Sequence, residues 1–101
     1  MGWGKWWSLT KSIVSIDPDK LGVYELVNSF LNTVYYGSGK IKTRLLDHLN
    51  KKECPMAKYY RFELFNTEAD CRAREKALLE DFQKAHDKLP MYNEMILEGL
   101  L

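Results

Sequence analysis

The sequence predicts a single-domain α/β chain of the α+β type, in which short strands are combined with two longer helices. Strand patterns occur at residues 22–27, 33–36 and 58–65, and the three- and four-residue spacing of amphipathic helices occurs at residues 40–50 and 67–89. The length of 101 residues and the 46% hydrophobic content are typical of one soluble domain with one modest core.

The first nineteen residues predict an N-terminal extension that contains a short amphipathic helix. Apolar residues recur there at intervals of three and four, and we expect this face to pack over the edge of the core. A turn at Asp17-Pro18-Asp19 then ends the extension. Alternatively, the tryptophans could form a surface for a membrane or a protein partner. The recurring residues are Trp3, Trp6, Trp7, Thr10, Ile13 and Val14.

The second predicted unit is a β-hairpin. Residues 22–27 are rich in β-branched and aromatic side chains, residues 28–32 form the loop, and residues 33–36 form the returning strand. Gly37-Ser38-Gly39 is expected to end that strand, and its glycines permit a sharp turn or a close approach to a ligand. The hairpin tyrosines could pack across the strands or direct their hydroxyls into one cleft. They are Tyr24, Tyr35 and Tyr36.

Residues 40–50 predict a helix with two polar side chains on one edge. Arg44 and His48 are four residues apart, so both project in one direction. Arginine can bind a phosphate bidentately, and histidine can exchange a proton near neutral pH, although such a pair alone is common on helices. The apolar stripe of this helix consists of Ile41, Leu45 and Leu49.

The last third of the chain predicts a strand and the longest helix. Residues 58–65 alternate apolar and charged side chains, which indicates a strand with one solvent-facing side. Thr67 is the expected N-cap of the helix, and Pro90 is expected to end it. Glu75 lies on the apolar stripe, where a carboxylate needs a metal, a raised pKa or a structural partner such as a buried arginine. The stripe consists of Cys71, Leu78, Phe82, Ala85 and Leu89.

The charge of the chain is nearly neutral overall but uneven along its length. The net charge is +1, whereas residues 38–61 hold seven basic and two acidic side chains and residues 62–101 hold five basic and nine acidic ones. The positive middle segment would suit a nucleic-acid backbone, although a solvated helix face has the same composition.

The two cysteines predict a reducing, intracellular environment, which we take as cytoplasmic. They are too few for a disulfide framework, and the sequence shows neither a signal-peptide pattern nor a membrane-spanning run. A zinc site is disfavoured because Cys54, Cys71, His48 and His86 lack the paired spacing of such sites. A cysteine nucleophile is also disfavoured, since Cys71 lies on an apolar stripe.

Taken in order, these elements resemble the GIY-YIG nuclease family. Gly22-Val23-Tyr24 resembles the first motif of the family, and Tyr35-Tyr36-Gly37 resembles the second, with Tyr36 in place of the usual aliphatic residue. The two motif tyrosines, Tyr24 and Tyr35, are eleven residues apart, as in family members. The resemblance covers about residues 20–95.

Three later segments extend the resemblance. The helix with Arg44 and His48 is similar to the one that carries the family's arginine and, four residues later, a histidine or tyrosine. Residues 74–79 resemble the segment with the metal-binding glutamate, which corresponds to Glu75 here. Residues 89–93 resemble the closing element with its active-site asparagine, Asn93 in this chain.

The resemblance implies a three-stranded antiparallel sheet flanked by helices and a metal-dependent endonuclease that hydrolyses DNA phosphodiester bonds. It implies that Glu75 binds one Mg²⁺ or Mn²⁺ ion, that Tyr24 activates water and that Arg44 stabilises the phosphate. Tyr35 and His48 would complete the hydrogen-bond network, and Asn93 would brace the site. The implied substrate-binding residues are Gly37, Lys40 and Lys42.

The chain also departs from the family. We place the nuclease-like domain at residues 20–95, between the extension at residues 1–19 and a tail at residues 96–101. The stretch between the second motif and Arg44 is one residue shorter than is typical, and no attached DNA-binding domain is recognised. The resemblance implies DNA as the partner. Because no attached DNA-binding domain is recognised, a protein partner or a homodimer is also possible, and we expect no membrane contact. Two alternatives remain: a non-catalytic nucleic-acid-binding module on the same scaffold, and a protein-interaction domain that uses the tryptophan face.

Overall fold

A computed structural model of the chain describes residues 2–99. In chain order its elements are β1 (Trp7–Ser8), α1 (Lys11–Val14), β2 (Leu21–Val27), β3 (Thr33–Lys40), α2 (Ile41–Lys51), β4 (Tyr59–Leu64), α3 (Glu68–His86) and α4 (Met91–Leu97). Among the described residues, no helix combines the length and the apolar character needed to cross a bilayer. The last two residues of the predicted tail and Met1 lie outside the described part of the chain.

The strands form one antiparallel sheet in the order β1-β4-β2-β3. The α+β fold with an antiparallel sheet flanked by helices is therefore confirmed, but the predicted number of three strands is wrong. The fourth strand is β1, which pairs Trp7 with Tyr60 and Ser8 with Tyr59 at the outer edge of β4. A strand of two residues is too short to show an alternating pattern in the sequence.

The predicted amphipathic helix of the extension is also largely absent, because only Lys11–Val14 is helical. The preceding residues are extended, and the backbone N–H of Gly4 donates to the carbonyl of Phe62 at 3.1 Å. Glycine disfavours a helix at this position. The regular spacing of the tryptophans has another origin, since Trp3 and Trp6 both pack on the Arg61 guanidinium, 4.6 and 4.4 Å from their ring centroids.

The main core lies on the face of the sheet that is covered by α1, α2 and α4. Alternation along the strands sends Tyr24 and Leu26 of β2 and Tyr60 of β4 to this face, and all three are fully buried. Leu26 is paired with Tyr35 across the hairpin, which brings a third tyrosine to the same side. The buried cluster consists of Val14, Tyr24, Leu26, Val34, Tyr35, Ile41, Leu45, Cys54, Ala57, Tyr60 and Tyr92.

The opposite face of the sheet carries buried acidic side chains. Glu25 is 4% exposed and accepts a hydrogen bond from Arg61 Nε at 2.7 Å, and Glu63 is 5% exposed and accepts one from Arg74 Nε at 2.9 Å. The predicted solvent-facing side of β4 is therefore wrong, because α3 and the N-terminal segment cover it. Breaking either buried pair would leave an uncompensated charge. The Arg74–Glu63 pair therefore fixes α3 on the sheet, and the Arg61–Glu25 pair joins β4 to β2.

Both ends of α3 show how local signals act. The Thr67 side chain accepts a hydrogen bond from the Asp70 backbone N–H at 3.1 Å, as expected of an N-cap. The helix ends at His86, three residues earlier than predicted, because Asp87 adopts a left-handed conformation with φ 60°. Pro90 instead precedes α4, a helix that the sequence did not indicate.

The predicted end of the second hairpin strand is wrong as well. Gly37-Ser38-Gly39 lies inside β3, which continues to Lys40. Gly37 pairs with Tyr24, Ser38 with Val23 and Gly39 with Gly22. The two glycines therefore direct toward one face of the sheet and the serine toward the other.

Candidate active site

Tyr24, Tyr35 and His48 form a buried cluster on the core face of the sheet. The Tyr24 phenol oxygen lies 2.6 Å from Nε2 of His48, and the Tyr35 and His48 ring centroids are 5.0 Å apart. Tyr24 is completely enclosed, and Tyr35 and His48 are 6% and 4% exposed. Strand register and helix α2 thus bring together three of the six residues predicted to be catalytic.

Gly37 makes this cluster possible. It pairs with Tyr24 across the hairpin, and a Cβ atom at this position would meet the Tyr24 phenol and would lie 2.7 Å from Cε2 of Tyr35. Only glycine leaves room for both rings against the strand. Gly37, which was predicted to bind substrate, is buried beneath these rings and forms the floor of the cluster.

Arg44 lies one helical turn before His48 and joins the same cluster. Its side chain packs against Gly39, which has a φ of +132° and where a Cβ would lie 3.0 Å from Cγ of Arg44. Its Nε is buried and has no hydrogen-bond partner among the described residues. An unpaired buried N–H of a guanidinium is unfavourable by about 1–3 kcal/mol, so this position favours an incoming acceptor.

Burial sets the protonation states of these groups. It raises the pKa of Tyr24 well above 10, and the Arg44 charge opposes that rise without reversing it. Burial also raises the pKa of Tyr35, to which the negative charge of Glu75 adds. Burial lowers the pKa of His48 below 6.5, with Glu53 opposing. Near neutral pH both phenols therefore keep their protons and His48 is uncharged.

Glu75 approaches β3 from the other face of the sheet. Its Oε1 accepts a hydrogen bond from Ser38 Oγ at 2.5 Å. The side chain faces the sheet, as its place on the apolar stripe predicts, but it is half-buried at the border of α3 rather than fully enclosed. Within residues 2–99 no basic side chain lies within ion-pair distance of this carboxylate. Ser38 is a partner that the sequence reasoning missed, since nothing marks a serine between two glycines.

Two hollows on this side of the molecule provide room beside the carboxylate. One, of about 330 Å³, is bordered by Glu75, Lys76 and Arg72. The other, of about 240 Å³, is bordered by Ser38, Gly39 and Arg72. A phosphate-sized group therefore has space next to the Glu75–Ser38 hydrogen bond.

The donor set fits a hard divalent cation that keeps most of its water ligands. In the part of the chain that the structure describes, no cluster of three or more His, Cys, Asp or Glu side chains could form an all-protein metal cage. Mg²⁺ does not need one, since it is often held by one or two carboxylates together with phosphate oxygens and water. Glu75 and the open space beside it meet that description.

Asn93 braces the edge strand of the sheet. Its Oδ1 accepts from the Tyr36 backbone N–H and its Nδ2 donates to the Tyr36 carbonyl, both at 2.9 Å. Tyr36 lies on β3, the edge strand of the sheet that residues 2–99 form, so these bonds satisfy backbone groups that an edge strand leaves open. Asn93 thus contacts the backbone next to the cluster rather than the cluster itself.

The two lysines predicted to bind substrate lie where β3 joins α2. Lys40 is exposed and Lys42 is half-buried. The hydrogen bonds from Thr43 lower the pKa of Asp19, and the charges of both lysines add to that effect. Asp19 Oδ1 accepts a hydrogen bond from the Thr43 backbone N–H at 3.0 Å and so caps the start of α2 from the preceding turn. The lysines border the same end of the sheet as Arg44.

The chain has the fold of a GIY-YIG endonuclease domain. The chain superposes on the GIY-YIG N-terminal endonuclease domain of UvrC from Thermotoga maritima bound to magnesium with a TM-score of 0.66 and 20% sequence identity, covering 81% of this chain and 92% of that one. Two point-mutant forms of that domain, also bound to the catalytic divalent cation, give a TM-score of 0.65 with 20% and 19% identity, covering 81% of this chain and 91% of each.

Within that fold the chain belongs to a specific family. Residues 3–85 match the family described as a domain of unknown function, DUF7508, and this protein is a member of it. No curated protein matches the sequence. The family match includes the N-terminal extension, β1 and most of α3.

Proposed function

We propose that this protein is a divalent-metal-dependent DNA endonuclease of the GIY-YIG type. The observation that carries the proposal is the Tyr24–His48 hydrogen bond beside Arg44, whose buried Nε has no hydrogen-bond partner within residues 2–99. A phosphate oxygen would supply that missing acceptor, and arginine binds phosphate with charge-assisted hydrogen bonds. His48 as a proton acceptor and Arg44 as an anion-binding group thus lie in one cluster, as phosphodiester hydrolysis requires.

The protonation states suggest how water would be activated. Because the pKa of Tyr24 is raised, a free phenolate is not available near neutral pH. We propose that Tyr24 passes its phenol proton to Nε2 of neutral His48 as its oxygen takes a proton from the attacking water. Tyr35, beside the Glu75 charge, would orient that water, and Arg44 would stabilise the added negative charge on the phosphate.

The remaining residues would hold the substrate and the site. Glu75 would ligate one Mg²⁺ or Mn²⁺ ion, which supplies Lewis-acid stabilisation of the phosphate and of the leaving oxygen. Lys40 and Lys42 would contact neighbouring phosphates, and Asn93 would keep β3 in register. We propose an intracellular location, which agrees with the two free cysteines, Cys54 and Cys71.

The test is cleavage of supercoiled and branched DNA by the purified full chain with Mg²⁺, with Mn²⁺ and with EDTA. We expect Arg44→Ala to lower kcat by about 10²–10³-fold, the usual effect of removing an oxyanion donor. Glu75→Gln keeps the size of the side chain but removes the proposed metal ligand. It should therefore abolish most of the metal-dependent activity. Glu80→Gln is the matched control, since it removes an exposed carboxylate from the same helix. Full activity of Glu75→Gln, with its circular dichroism unchanged, would contradict the proposal.

A second candidate is a non-catalytic nucleic-acid-binding module. The observation in its favour is the complete enclosure of Tyr24, which leaves the phenol no direct contact with solvent. This function predicts salt-dependent DNA binding without hydrolysis in any metal, and binding that Glu75→Gln does not weaken. The same DNA samples and variants therefore separate the two candidates.

A further inference from the structure

Both ring nitrogens of the buried His48 face polar partners. On one side Nε2 lies 2.6 Å from the Tyr24 phenol oxygen. On the other side Nδ1 lies 3.3 Å from Oε1 of Glu53, a side chain that is 32% exposed. An imidazole placed between a phenol and a carboxylate can adopt two neutral tautomers, and its neighbours decide which one is stable.

The charges around the ring favour a hydrogen on Nδ1. A carboxylate can only accept a hydrogen bond, so an unprotonated Nδ1 would direct its lone pair at a negative charge. At the opposite end the positive charge of Arg44 acts on the Tyr24 phenol oxygen, which directs the phenol hydrogen away from Arg44 and toward Nε2. Both ends therefore favour the same tautomer.

Cys54 is the competing neighbour of Nδ1. Its Sγ lies 3.8 Å away, and burial raises the pKa of this thiol to about 12, so the group is uncharged. A neutral thiol is a weak donor and a weak acceptor. Cys54 meets the hydrogen-bond geometry at Nδ1, whereas Glu53 approaches Nδ1 at 3.3 Å as a charged neighbour. A carboxylate is the stronger acceptor of the two, so its charge favours a hydrogen on Nδ1.

The backbone holds Glu53 in place. Helix α2 ends at Lys51, and the residue that caps it, Lys52, adopts a left-handed conformation with φ 54°. The Glu53 backbone N–H donates to the His48 carbonyl at 3.2 Å. This turn folds the chain back so that Glu53 reaches the ring of a residue five positions earlier. A separate hollow of about 240 Å³, bordered by His48, Lys52 and Cys54, lies on the same side of the ring.

We propose that Glu53 is a positioning residue that fixes the Nδ1–H tautomer of His48 and thereby keeps Nε2 free to accept the Tyr24 proton. Its part in catalysis rests on the proposed nuclease function. The phenol O–H bond breaks and an Nε2–H bond forms, while the phenol oxygen takes one proton from water. The resulting imidazolium is paired with the Glu53 carboxylate, and the proton then leaves to solvent through the half-exposed side of that pair.

Other charged and titratable groups also surround the ring and have to be separated from Glu53. Asp47 raises the pKa of His48 by its charge alone, whereas Lys51 lowers it. The groups that face His48 are Tyr24, Tyr35, Arg44, Asp47, Lys51, Glu53 and Cys54.

The experiment is long-range ¹H–¹⁵N NMR of the imidazole rings in the full chain, with the signals of His86 assigned by His86→Gln. In the wild type we expect His48 to carry its hydrogen on Nδ1. Glu53→Ala should give a mixture of tautomers and lower kcat for DNA cleavage by about 10- to 100-fold, as loss of a histidine-orienting partner typically does. Glu53→Gln, whose amide oxygen can still accept, should restore the tautomer but not the full rate.

Two control variants sharpen the test. Asp47→Asn removes a carboxylate from the same helix, and Cys54→Ala removes the competing neighbour, and we expect both to keep the Nδ1–H tautomer. An Nε2–H tautomer in the wild type, or a tautomer change in Cys54→Ala but not in Glu53→Ala, would overturn the proposal. If the wild type cleaves no DNA, the nuclease function fails, while the NMR result still decides whether Glu53 sets the tautomer.

Discussion

Replacing Gly37 by alanine would insert a methyl group where the Tyr24 and Tyr35 rings meet β3. The new Cβ would lie 2.7 Å from Cε2 of Tyr35 and in closer contact with the Tyr24 phenol. Tyr24 cannot move aside without breaking its 2.6 Å hydrogen bond to His48. Because the φ of Gly37 lies outside the left-handed region, the penalty is steric and not conformational.

Overpacking of a filled core site destabilises a protein by about 1–3 kcal/mol. For a domain of this size each kcal/mol corresponds to about 4–8 °C in Tm, so Gly37→Ala should unfold about 4–24 °C below the wild type in circular dichroism melts. Gly4→Ala is the matched control, since its Cβ would contact only the Phe62 carbonyl oxygen at 3.5 Å. A wild-type Tm for Gly37→Ala, or an equal loss in both variants, would refute the packing argument.

Three further predictions concern other groups. Asn93→Ala removes both hydrogen bonds to the Tyr36 backbone and should lower the free energy of unfolding by about 1–3 kcal/mol in urea titrations; an unchanged value would show that water replaces the amide. Because burial lowers the pKa of His48 below 6.5, the unfolded chain binds this proton more readily. The free energy of unfolding should therefore fall as the pH drops below about 6.5, and His48→Gln should flatten this pH dependence. An unchanged pH dependence in His48→Gln would show that another group causes it. Cys54, with a pKa of about 12, and buried Cys71 should resist a thiol-specific disulfide reagent in the native chain and react in denaturant; rapid native labelling would contradict the burial.

The parts of the site that follow from local patterns could be predicted from the sequence. The β-branched and aromatic run around Tyr24 indicated a strand, the short loop fixed a hairpin, and helical spacing placed Arg44 and His48 on one edge. Each of these signals acts over fewer than twelve residues. The structure places Tyr24, Arg44 and His48 in one cluster.

The errors share a different physical origin, because they concern contacts between distant segments. The tryptophan spacing imitated a helix, but the rings of Trp3 and Trp6 pack on Arg61 in another element. The alternation of apolar and charged residues in β4 indicated a solvent-facing side, but Arg74 of α3 covers Glu63 there. No local pattern tells whether a polar side chain faces water or a partner from elsewhere in the chain.

Asn93 shows the same limit from the other side. Its amide binds the backbone of a residue 57 positions earlier, so its contact depends on the docking of α4, a helix without a sequence signal. The resemblance to a nuclease family indicated that Asn93 matters. Only the structure shows its partner, the Tyr36 backbone on the edge strand.

Strand alternation explains why the segment at residues 37–39 connects both halves of the proposed site. Gly37 receives the tyrosine rings and Gly39 receives Arg44 on one face, while Ser38 holds Glu75 on the other. These roles require Gly37 and Gly39 to face one side of the sheet and the Ser38 hydroxyl to face the other side. The alternation of a strand provides this arrangement, and a turn would not. A one-residue shift of β3 would exchange the faces and separate the carboxylate from its hydroxyl. The register that Asn93 braces therefore sets where the phenols lie on one face of β3 and where the carboxylate lies on the other.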